Sequence, residues 1–334
     1  MFTRFIKNFR NTAVAAVSVV MLGGTAMAAE KTIRIGFADV EGGPYDMAAQ
    51  TFKKELEASS NGSIEVKVLC CHQMGGEQEM FQKMQLGTLD AAILGQNNAS
   101  AFFPLMDTMV LPYVFRSYEH AEAVADGPVA DIIREKMAAQ TGVHMMDVVI
   151  IGFRSIINSK RDIKSFDDIA GLRYRVPKNE VMIDTYRAFG ADPTPIAWSD
   201  TVTAWQTGIV DGGDLGIVFM ESQKFSDISK HLAMTEHFTN MSMMFLSDAA
   251  YQKLTPQERE LAAAASKKAS QASRALNIKL EGEAISAMLA KGVVQTFPDK
   301  APFIEASKTV WEDFFEEKGD EFRDFLAMIQ AVEG

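Results

Sequence analysis

Residues 171–177 read Gly-Leu-Arg-Tyr-Arg-Val-Pro and place a guanidinium at the end of a predicted strand, directly before a predicted amphipathic helix. Residues 172–176 alternate apolar and charged side chains as a strand does, and Pro177 blocks further strand pairing. The helix is predicted at about 179–189. Arg175 therefore lies near the carboxyl end of a strand, where open α/β sheets gather ligands, and its planar fork matches a carboxylate. A surface salt bridge is the alternative role for a single arginine.

Strand patterns and helix patterns alternate on both sides of this stretch. Strands are predicted at residues 32–38, 63–69, 143–151, 155–158 and 209–213, and helices at 45–58, 77–86 and 198–206. The alternation favours an α/β fold with mostly parallel sheets. A long helix is predicted from Pro256 to about Ala290, because Thr255 and Glu258 form a capping box and good helix formers follow. At ~1.5 Å per residue it would span ~50 Å and bridge two lobes, with a kink expected at Gly282.

The first 28 residues have the parts of an export signal. Residues 1–10 carry three basic and no acidic side chains, residues 13–22 form an apolar run, and Ala26-Met-Ala28 has the form of a cleavage site. Cleavage after Ala28 leaves 30 basic residues (33 − 3) against 44 acidic ones, a net charge of −14. Such a surface repels nucleic acid and anionic lipid, and no later apolar run is long enough for direct membrane insertion.

Together with its neighbours, the opening stretch resembles the DctP-like solute-binding proteins of tripartite ATP-independent periplasmic (TRAP) transporters. Residues 167–177, Asp-Asp-Ile-Ala-Gly-Leu-Arg-Tyr-Arg-Val-Pro, are similar to the family's D-L-x-G-L-K-x-R-V-P block. Further similar elements follow in family order: residues 73–79 (Q-L-G-x-x-x-E), 85–90 (Q-x-G-x-L-D), 111–116 (L-P-F-L-F-R), 189–198 (L-G-A-x-P-T-P-M-x-aromatic) and 203–212 (T-A-L-Q-x-G-V-V-D-G). Each string alone is weak, but their order over residues 32–240 makes chance similarity implausible.

The resemblance implies a fold of the periplasmic-binding-protein type, with two α/β lobes and a ligand cleft between them. We expect residues 1–28 to be a signal peptide, residues 29–151 and about 240–279 to form the first lobe, and residues 152–239 and about 280–334 to form the second. It also implies a periplasmic receptor that delivers a small organic acid anion, a carboxylate or a sulfonate, to a TRAP membrane permease. The chain contains no G-x-S-x-G, H-E-x-x-H, Walker A or G-x-G-x-x-G motif, so we predict neither an enzyme nor a cofactor.

Several residues are candidates for the ligand site. Residues 152–154 resemble the family's G-x-R segment, which makes Arg154 a second anion contact. Trp198 stands at the family's aromatic position and either walls the ligand or packs in the core. Glu77 opens a predicted helix at the cleft edge, where the helix dipole alone also favours a carboxylate. Tyr45 and Gln96 follow predicted strand ends, and solvated loop positions are the alternative for both.

The chain departs from the family pattern at Asp214 and Leu215. The family often has D-G-Q-E-N-P where residues 211–216 are Asp-Gly-Gly-Asp-Leu-Gly, so Leu215 replaces an amide that commonly helps to hold the ligand. Asp214 either accepts hydrogen bonds from a ligand hydroxyl or ammonium, or orders the following turn.

Cys70 and Cys71 are the only cysteines in the chain. They follow the strand predicted at residues 63–69, at the end that faces the expected cleft. We hypothesise a vicinal disulfide that forms a rigid apolar wall of the pocket; a reduced pair packed as small hydrophobic side chains is the alternative. With His72, the pair also offers ligands to a copper or zinc ion, which gives the alternative function of a periplasmic metal carrier.

Overall fold

A computed structural model describes residues 29–334, so the predicted signal peptide lies outside the described part of the chain. The strands in this part are β1 (Lys31–Gly36), β2 (Ile64–Leu69), β3 (Ala91–Gly95), β4 (Val143–Asn158), β5 (Arg173–Val176), β6 (Asp192–Pro195), β7 (Gly212–Gly216), β8 (His231–Ser247) and β9 (Val294–Thr296). The α-helices are α1 (Pro44–Ser59), α2 (Glu77–Gln85), α3 (Gln96–Ala99), α4 (Tyr118–Ala125), α5 (Pro128–Thr141), α6 (Glu180–Ala188), α7 (Trp198–Gln206), α8 (Ile217–Ser222), α9 (Phe225–Ile228), α10 (Asp248–Lys253), α11 (Pro256–Ala290), α12 (Ala301–Lys318) and α13 (Asp320–Ala331). Two 3₁₀ helices lie at Pro104–Met109 and Phe166–Ile169.

The amino-terminal part is built from β-α-β units. Strand β1 pairs in parallel with β2 and β3, and the buried side chains of Ile33, Ile35 and Val66 give β1 and β2 an alternating pattern. Helix α1 crosses between β1 and β2, with Pro44 in its first turn. The carboxyl ends of β1 and β3 therefore come to the same edge of the sheet.

A second parallel group is formed by β5, β6 and β7. Strand β5 pairs in parallel with both of its neighbours. The strand predicted at 209–213 begins three residues before β7 does. Gly208 (φ +73°) turns the chain and Ile209 is exposed, so the strand starts only at Gly212. Gly212 is required at the start of β7, since a Cβ there would lie 2.6 Å from the carbonyl oxygen of Ile157.

Strands β4 and β8 join the two groups into one sheet of order β2-β1-β3-β8-β4-β7-β5-β6, and β9 pairs with β8. The two strands predicted at 143–151 and 155–158 are thus one strand, β4. Its register against β8 shifts between Ile150 and Phe153, where Gly152 has a positive φ of 92°. Within the described residues, five of the eight strand pairings are parallel. Three are antiparallel: β3 with β8, β8 with β4, and β4 with β7.

Helix α11 has the predicted boundaries and bridges the two groups. Thr255 and Glu258 form the reciprocal capping box that the sequence indicates, and the helix runs through Gly282 without interruption. It packs against α1 and β4 and also against α8. Ala265 and Ala269 share a buried apolar cluster with Phe52 of α1, which lets the two helices approach closely.

The carboxyl-terminal helix α13 packs against α5 and the first 3₁₀ helix. The guanidinium of Arg116 donates to the carbonyl oxygens of Gln330 (3.1 Å) and Val332 (2.7 Å), which holds the end of the chain there. We expected residues 280–334 to belong to the second lobe, and these contacts connect their carboxyl-terminal end to residues assigned to the first lobe. The boundaries of the lobes otherwise stay a prediction. Among the described residues, no helix is both long and apolar enough to cross a membrane.

Candidate functional site

A cavity lies between the two strand groups, where the carboxyl ends of β1 and β3 face those of β5 and β7, and it encloses about 470 Å³ including its open mouth. The lining residues come from both strand groups and from β8: Asp39, Tyr45, Glu77, Gly95, Asn97, Asn98, Arg154, Arg175, Pro177, Trp198, Leu215, Phe219 and Asn240.

Arg175 lies in this cavity near the end of β5, with only 3 % of its surface exposed. Its Nε donates to the carbonyl oxygen of Ile196 at 3.0 Å, and its guanidinium carbon lies 5.6 Å from the centre of the Trp198 ring. Burial and, after it, the charge of Arg154 lower the pKa of Arg175 to about 9, so the side chain is still cationic at neutral pH. Among the described residues the Nη nitrogens have no hydrogen-bond acceptor, so the fork is free for an anion.

Arg154, the other arginine of the cavity, is held by Asp214. Its Nε donates to Oδ2 of Asp214 at 2.6 Å, and one Nη donates to the carbonyl oxygen of the same residue at 2.7 Å. Burial acts to raise the pKa of Asp214, but the charge of Arg154 and a bond from His237 hold this pKa well below its usual value. Asp214 is fully buried behind Arg154 and does not line the cavity. It positions the arginine, where we expected a ligand contact or a turn.

Glu77 faces the cavity from the first turn of α2. Its Oε2 accepts hydrogen bonds from the backbone N–H of Gly95 at 3.0 Å and from the side chain of Asn98. Burial raises the pKa of Glu77, while these two hydrogen bonds act in the opposite direction. One carboxylate oxygen is therefore bound within the protein, and the residue connects α2 to the end of β3.

Asp39 and Asn240 also line the cavity, although no sequence motif points to either residue. Asp39 follows β1 and is 2 % exposed; its Oδ1 accepts from the Gln223 amide at 3.1 Å, while its buried Oδ2 has no partner among the described residues. Burial raises the pKa of Asp39 to about 6. Asn240 of β8 is 7 % exposed, and its buried Nδ2 is likewise without a described partner. The place of Asp39 just after the carboxyl end of β1 is a signal that could have identified it, whereas Asn240, inside β8, carries no such signal.

The remaining wall is apolar and aromatic. Tyr45 is 5 % exposed, and its hydroxyl is hydrogen-bonded to that of Ser242. The Tyr45 ring meets Phe219 edge-on at a centroid distance of 5.6 Å, and Trp198 meets the same ring edge-on at 6.3 Å. Leu215 is 3 % exposed and lines the cavity beside them. Tyr45, Trp198 and Leu215 therefore reach the cavity as expected.

Gln96 does not reach the cavity. It is 3 % exposed, and its Nε2 donates to the carbonyl oxygens of Met109 (3.2 Å) and Thr239 (3.0 Å). The turn into α3 instead directs the next two residues, Asn97 and Asn98, to the cavity. The prediction was thus displaced by one position, because the helix begins immediately where β3 ends.

Cys70 and Cys71 form the hypothesised disulfide bond, but they do not line the cavity. Cys70 is buried in the apolar cluster around α1, and Cys71 is exposed with a positive φ of 60°. The backbone N–H of Cys71 donates to the carbonyl oxygen of Asp39 at 3.2 Å. The backbone of Cys71 therefore holds the loop that carries Asp39, and neither cysteine forms the predicted wall of the cavity.

The alternative function of a metal carrier is not supported, because it depends on the same two cysteines. Glu41, Cys70 and Cys71 come within 4.8 Å of one another, but the disulfide removes both thiolates that a soft metal would need. The thioethers of Met241, Met243 and Met244 are buried in β8 as apolar core.

The sequence of residues 39–318 matches the model of the DctP family, which is described as bacterial extracellular solute-binding protein, family 7. A solute-binding protein of Verminephrobacter eiseniae is 30% identical over 87% of this chain and 87% of its own length. The sialic acid-binding periplasmic protein SiaP of Vibrio cholerae is 28% identical over 86% of this chain and 89% of its own length.

The structure is similar to the crystal structure of a TRAP periplasmic solute-binding protein from a Polaromonas species, bound to D-erythronate. The TM-score is 0.87, with 32% sequence identity over 91% of this chain and 99% of that one. The similarity confirms the two-lobed α/β fold predicted from the sequence, and it gives no support to a metal carrier.

Proposed function

This chain belongs to the bacterial extracellular solute-binding protein family 7, and we propose that it is a periplasmic receptor that binds a small organic acid anion between its two lobes. In this proposal the receptor passes the anion to the membrane permease of a TRAP transporter and carries out no chemical step. Binding needs only a higher affinity of the ligand for the closed arrangement of the lobes than for the open one.

The observation that carries this proposal is the free guanidinium fork of Arg175. An arginine that is 3 % exposed has lost most of its hydration, and no carboxylate of residues 29–334 forms a salt bridge with it, although the charges of Asp214 and Glu77 act on it from a distance. Arg154 does not have this property, because Asp214 neutralises it from behind. A carboxylate in the cavity would complete the pairing of Arg175, which favours an organic acid over a neutral sugar or a cation.

The charges opposite the arginines favour an acid with one anionic group. Asp39 and Glu77 bring two carboxyl groups to the same cavity. A second anionic group on the ligand would approach these carboxyl groups, which disfavours it electrostatically. D-Erythronate, bound by the similar Polaromonas protein, and sialic acid, named for the Vibrio relative, each carry one carboxylate and are suitable probes.

Export is the second part of the proposal. The charged, apolar and small-residue parts of residues 1–28 support a signal peptide cleaved after Ala28. Edman sequencing or intact mass of protein purified from the periplasm would test this assignment. A mature chain that begins at Ala29 agrees with it, and retention of residues 1–28 contradicts it.

A thermal-shift screen against organic acids tests the binding function. A ligand present at a hundred times its Kd adds ~2.7 kcal/mol to the free energy of unfolding of a protein that binds it only when folded. D-Erythronate, sialic acid, D-glucuronate and butyrate would be the probes, and Arg175→Ala would be measured beside the unsubstituted protein. We expect at least one acid to raise the melting temperature of the unsubstituted protein but not that of the variant. Equal shifts for both proteins would contradict the proposed role of Arg175.

A further inference from the structure

Two buried polar atoms of the cavity, Nδ2 of Asn240 and Oδ2 of Asp39, have no hydrogen-bond partner within residues 29–334. One is a donor in β8, and the other is an acceptor in the loop that follows β1. A buried polar atom without a partner costs free energy, so protein interiors contain few of them. Two in the lining of one cavity indicate groups that are completed by a ligand.

The amide of Asn240 lies beside Gly216 of β7, which pairs with Arg154 of β4. It lies against the backbone of Gly216, since a Cβ at that position would be 2.6 Å from Nδ2. Leu215, the neighbour of Gly216 in β7, lines the same cavity and cannot form a hydrogen bond. Because Gly216 has no side chain, the amide of Asn240 fits beside it. Because the side chain of Leu215 cannot form a hydrogen bond, the amide of Asn240 is the hydrogen-bonding group next to Leu215.

Asp39 differs from the other carboxylate of the cavity in what the protein provides for it. Oε2 of Glu77 already accepts two hydrogen bonds, from Gly95 and Asn98. Asp39 receives the amide of Gln223 on Oδ1 only, which leaves Oδ2 as a buried acceptor. The backbone of the loop that carries Asp39 is held by the hydrogen bond from the N–H of Cys71.

We propose that Asn240 and Asp39 determine the specificity of the cavity by binding hydroxyl groups of the anion whose carboxylate is held by Arg175. This inference rests on the proposed function and adds the residues that select among organic acids. A hydroxyl group can accept from the amide of Asn240 and can donate to the carboxylate of Asp39. An acid without hydroxyl groups leaves both protein groups unpaired, and sites of this kind reject such analogues strongly.

Calorimetry on the full mature protein with two matched acids tests the proposal. D-Erythronate and butyrate share a four-carbon chain and a carboxylate, and only the first has hydroxyl groups. We expect the unsubstituted protein to bind D-erythronate ~100-fold more tightly than butyrate or better. Asp39→Asn keeps an acceptor for Gln223 and removes the free one, and Asn240→Leu keeps the volume and removes the donor. In each variant we expect this preference to fall ~10-fold or more, with the affinity for butyrate little changed.

Asp147→Asn is the matched control, because Asp147 is a buried carboxyl group (6 % exposed) with a raised pKa and lies outside the cavity. It should leave the preference unchanged. Circular dichroism and thermal melting would establish that each variant folds. An unchanged preference in a folded variant removes that residue from the proposal, and equal or tighter binding of butyrate by the unsubstituted protein overturns it entirely. In the last case the proposed function would survive if butyrate binding still required Arg175; failure to bind any acid would contradict both.

Discussion

Arg175 and Arg154 line one cavity but are prepared for different tasks. Asp214 binds Arg154 on two atoms, while the fork of Arg175 stays free among the described residues. Within residues 29–334 Arg175 is buried without a salt bridge, so a bound carboxylate would supply the acceptors that its Nη nitrogens lack. The packing of Trp198 and the bond to Ile196 keep the guanidinium oriented in the absence of a ligand.

Replacing Arg175 by lysine should abolish tight binding. An ammonium group cannot form the two parallel hydrogen bonds of a guanidinium, and losing one member of a desolvated charge pair typically costs ~2–5 kcal/mol. We therefore expect the Kd for the best acid of the screen to rise ~30-fold or more in Arg175→Lys, as measured by calorimetry. Arg173→Lys, on the same strand but paired with Asp211, should bind normally. An Arg175→Lys variant within about threefold of the unsubstituted protein would reject two-point recognition.

Asp39 should make the stability of the unliganded protein depend on pH. Burial raises its pKa from 3.8 to about 6, so the folded protein binds a proton in this range that the unfolded chain releases. The contribution of this group to the free energy of unfolding therefore falls as pH rises from about 4 to 6 and is constant above, a change of roughly 2–3 kcal/mol. Urea unfolding of Asp39→Asn should lack this decrease. A constant difference between the two proteins from pH 4 to pH 7 would contradict the raised pKa.

The sequence identified the cationic side of the cavity better than the opposite side. Arg175 lies in a strand pattern that ends at Pro177, and Arg154 follows Gly152; both segments resemble motifs of the family. The sequence could therefore predict that both side chains face the cavity. Asp39 and Asn240 carry no local motif. Asn240 lies in the middle of the long β8, and its access to the cavity depends on Gly216 in another strand. Sequence patterns describe neighbours along the chain and cannot show such a pairing.

At the scale of secondary structure, strong local sequence signals predict which helices and strands form, and tertiary contacts determine where these elements begin and end. Helix α11 has its predicted boundaries because its capping box and its composition favour the same helix. Strand β7 begins three residues later than predicted, because backbone contacts with Ile157 determine its place. The continuity of β4 was missed because Gly152 resembles a strand break, whereas in the sheet it forms a register shift.

The loop between β2 and α2 offers a prediction at the same scale. Because Cys70 and Cys71 are joined, protein purified without reductant and alkylated under denaturing conditions should gain no alkyl groups by intact mass. Addition of two alkyl groups would exclude the bond. A Cys70→Ser, Cys71→Ser variant should keep its affinity for the ligand within about tenfold, since neither sulfur lines the cavity and only the support of the Asp39 loop is weakened. Complete loss of binding would contradict this indirect role.

In the whole molecule, the two strand groups touch each other on both sides of the cavity. Gln223 donates to Asp39 across one side. On another side Asn179, the N-cap of α6, donates to Asp107 at 2.7 Å and to Ser100 at 3.0 Å. With these contacts formed, Arg175 is nearly inaccessible. These contacts connect the two strand groups in the way that the proposed closure of the lobes on a ligand requires.

Closure on an organic anion is the central claim, and small-angle X-ray scattering with and without ligand tests it most directly. The ligand would be the acid with the largest thermal shift, and Arg175→Ala at the same ligand concentration would be the control. We predict that saturating ligand lowers the radius of gyration of the unsubstituted protein and leaves that of the variant unchanged, since closure depends on the anion bound by Arg175. A radius of gyration that is the same with and without saturating ligand would contradict the account.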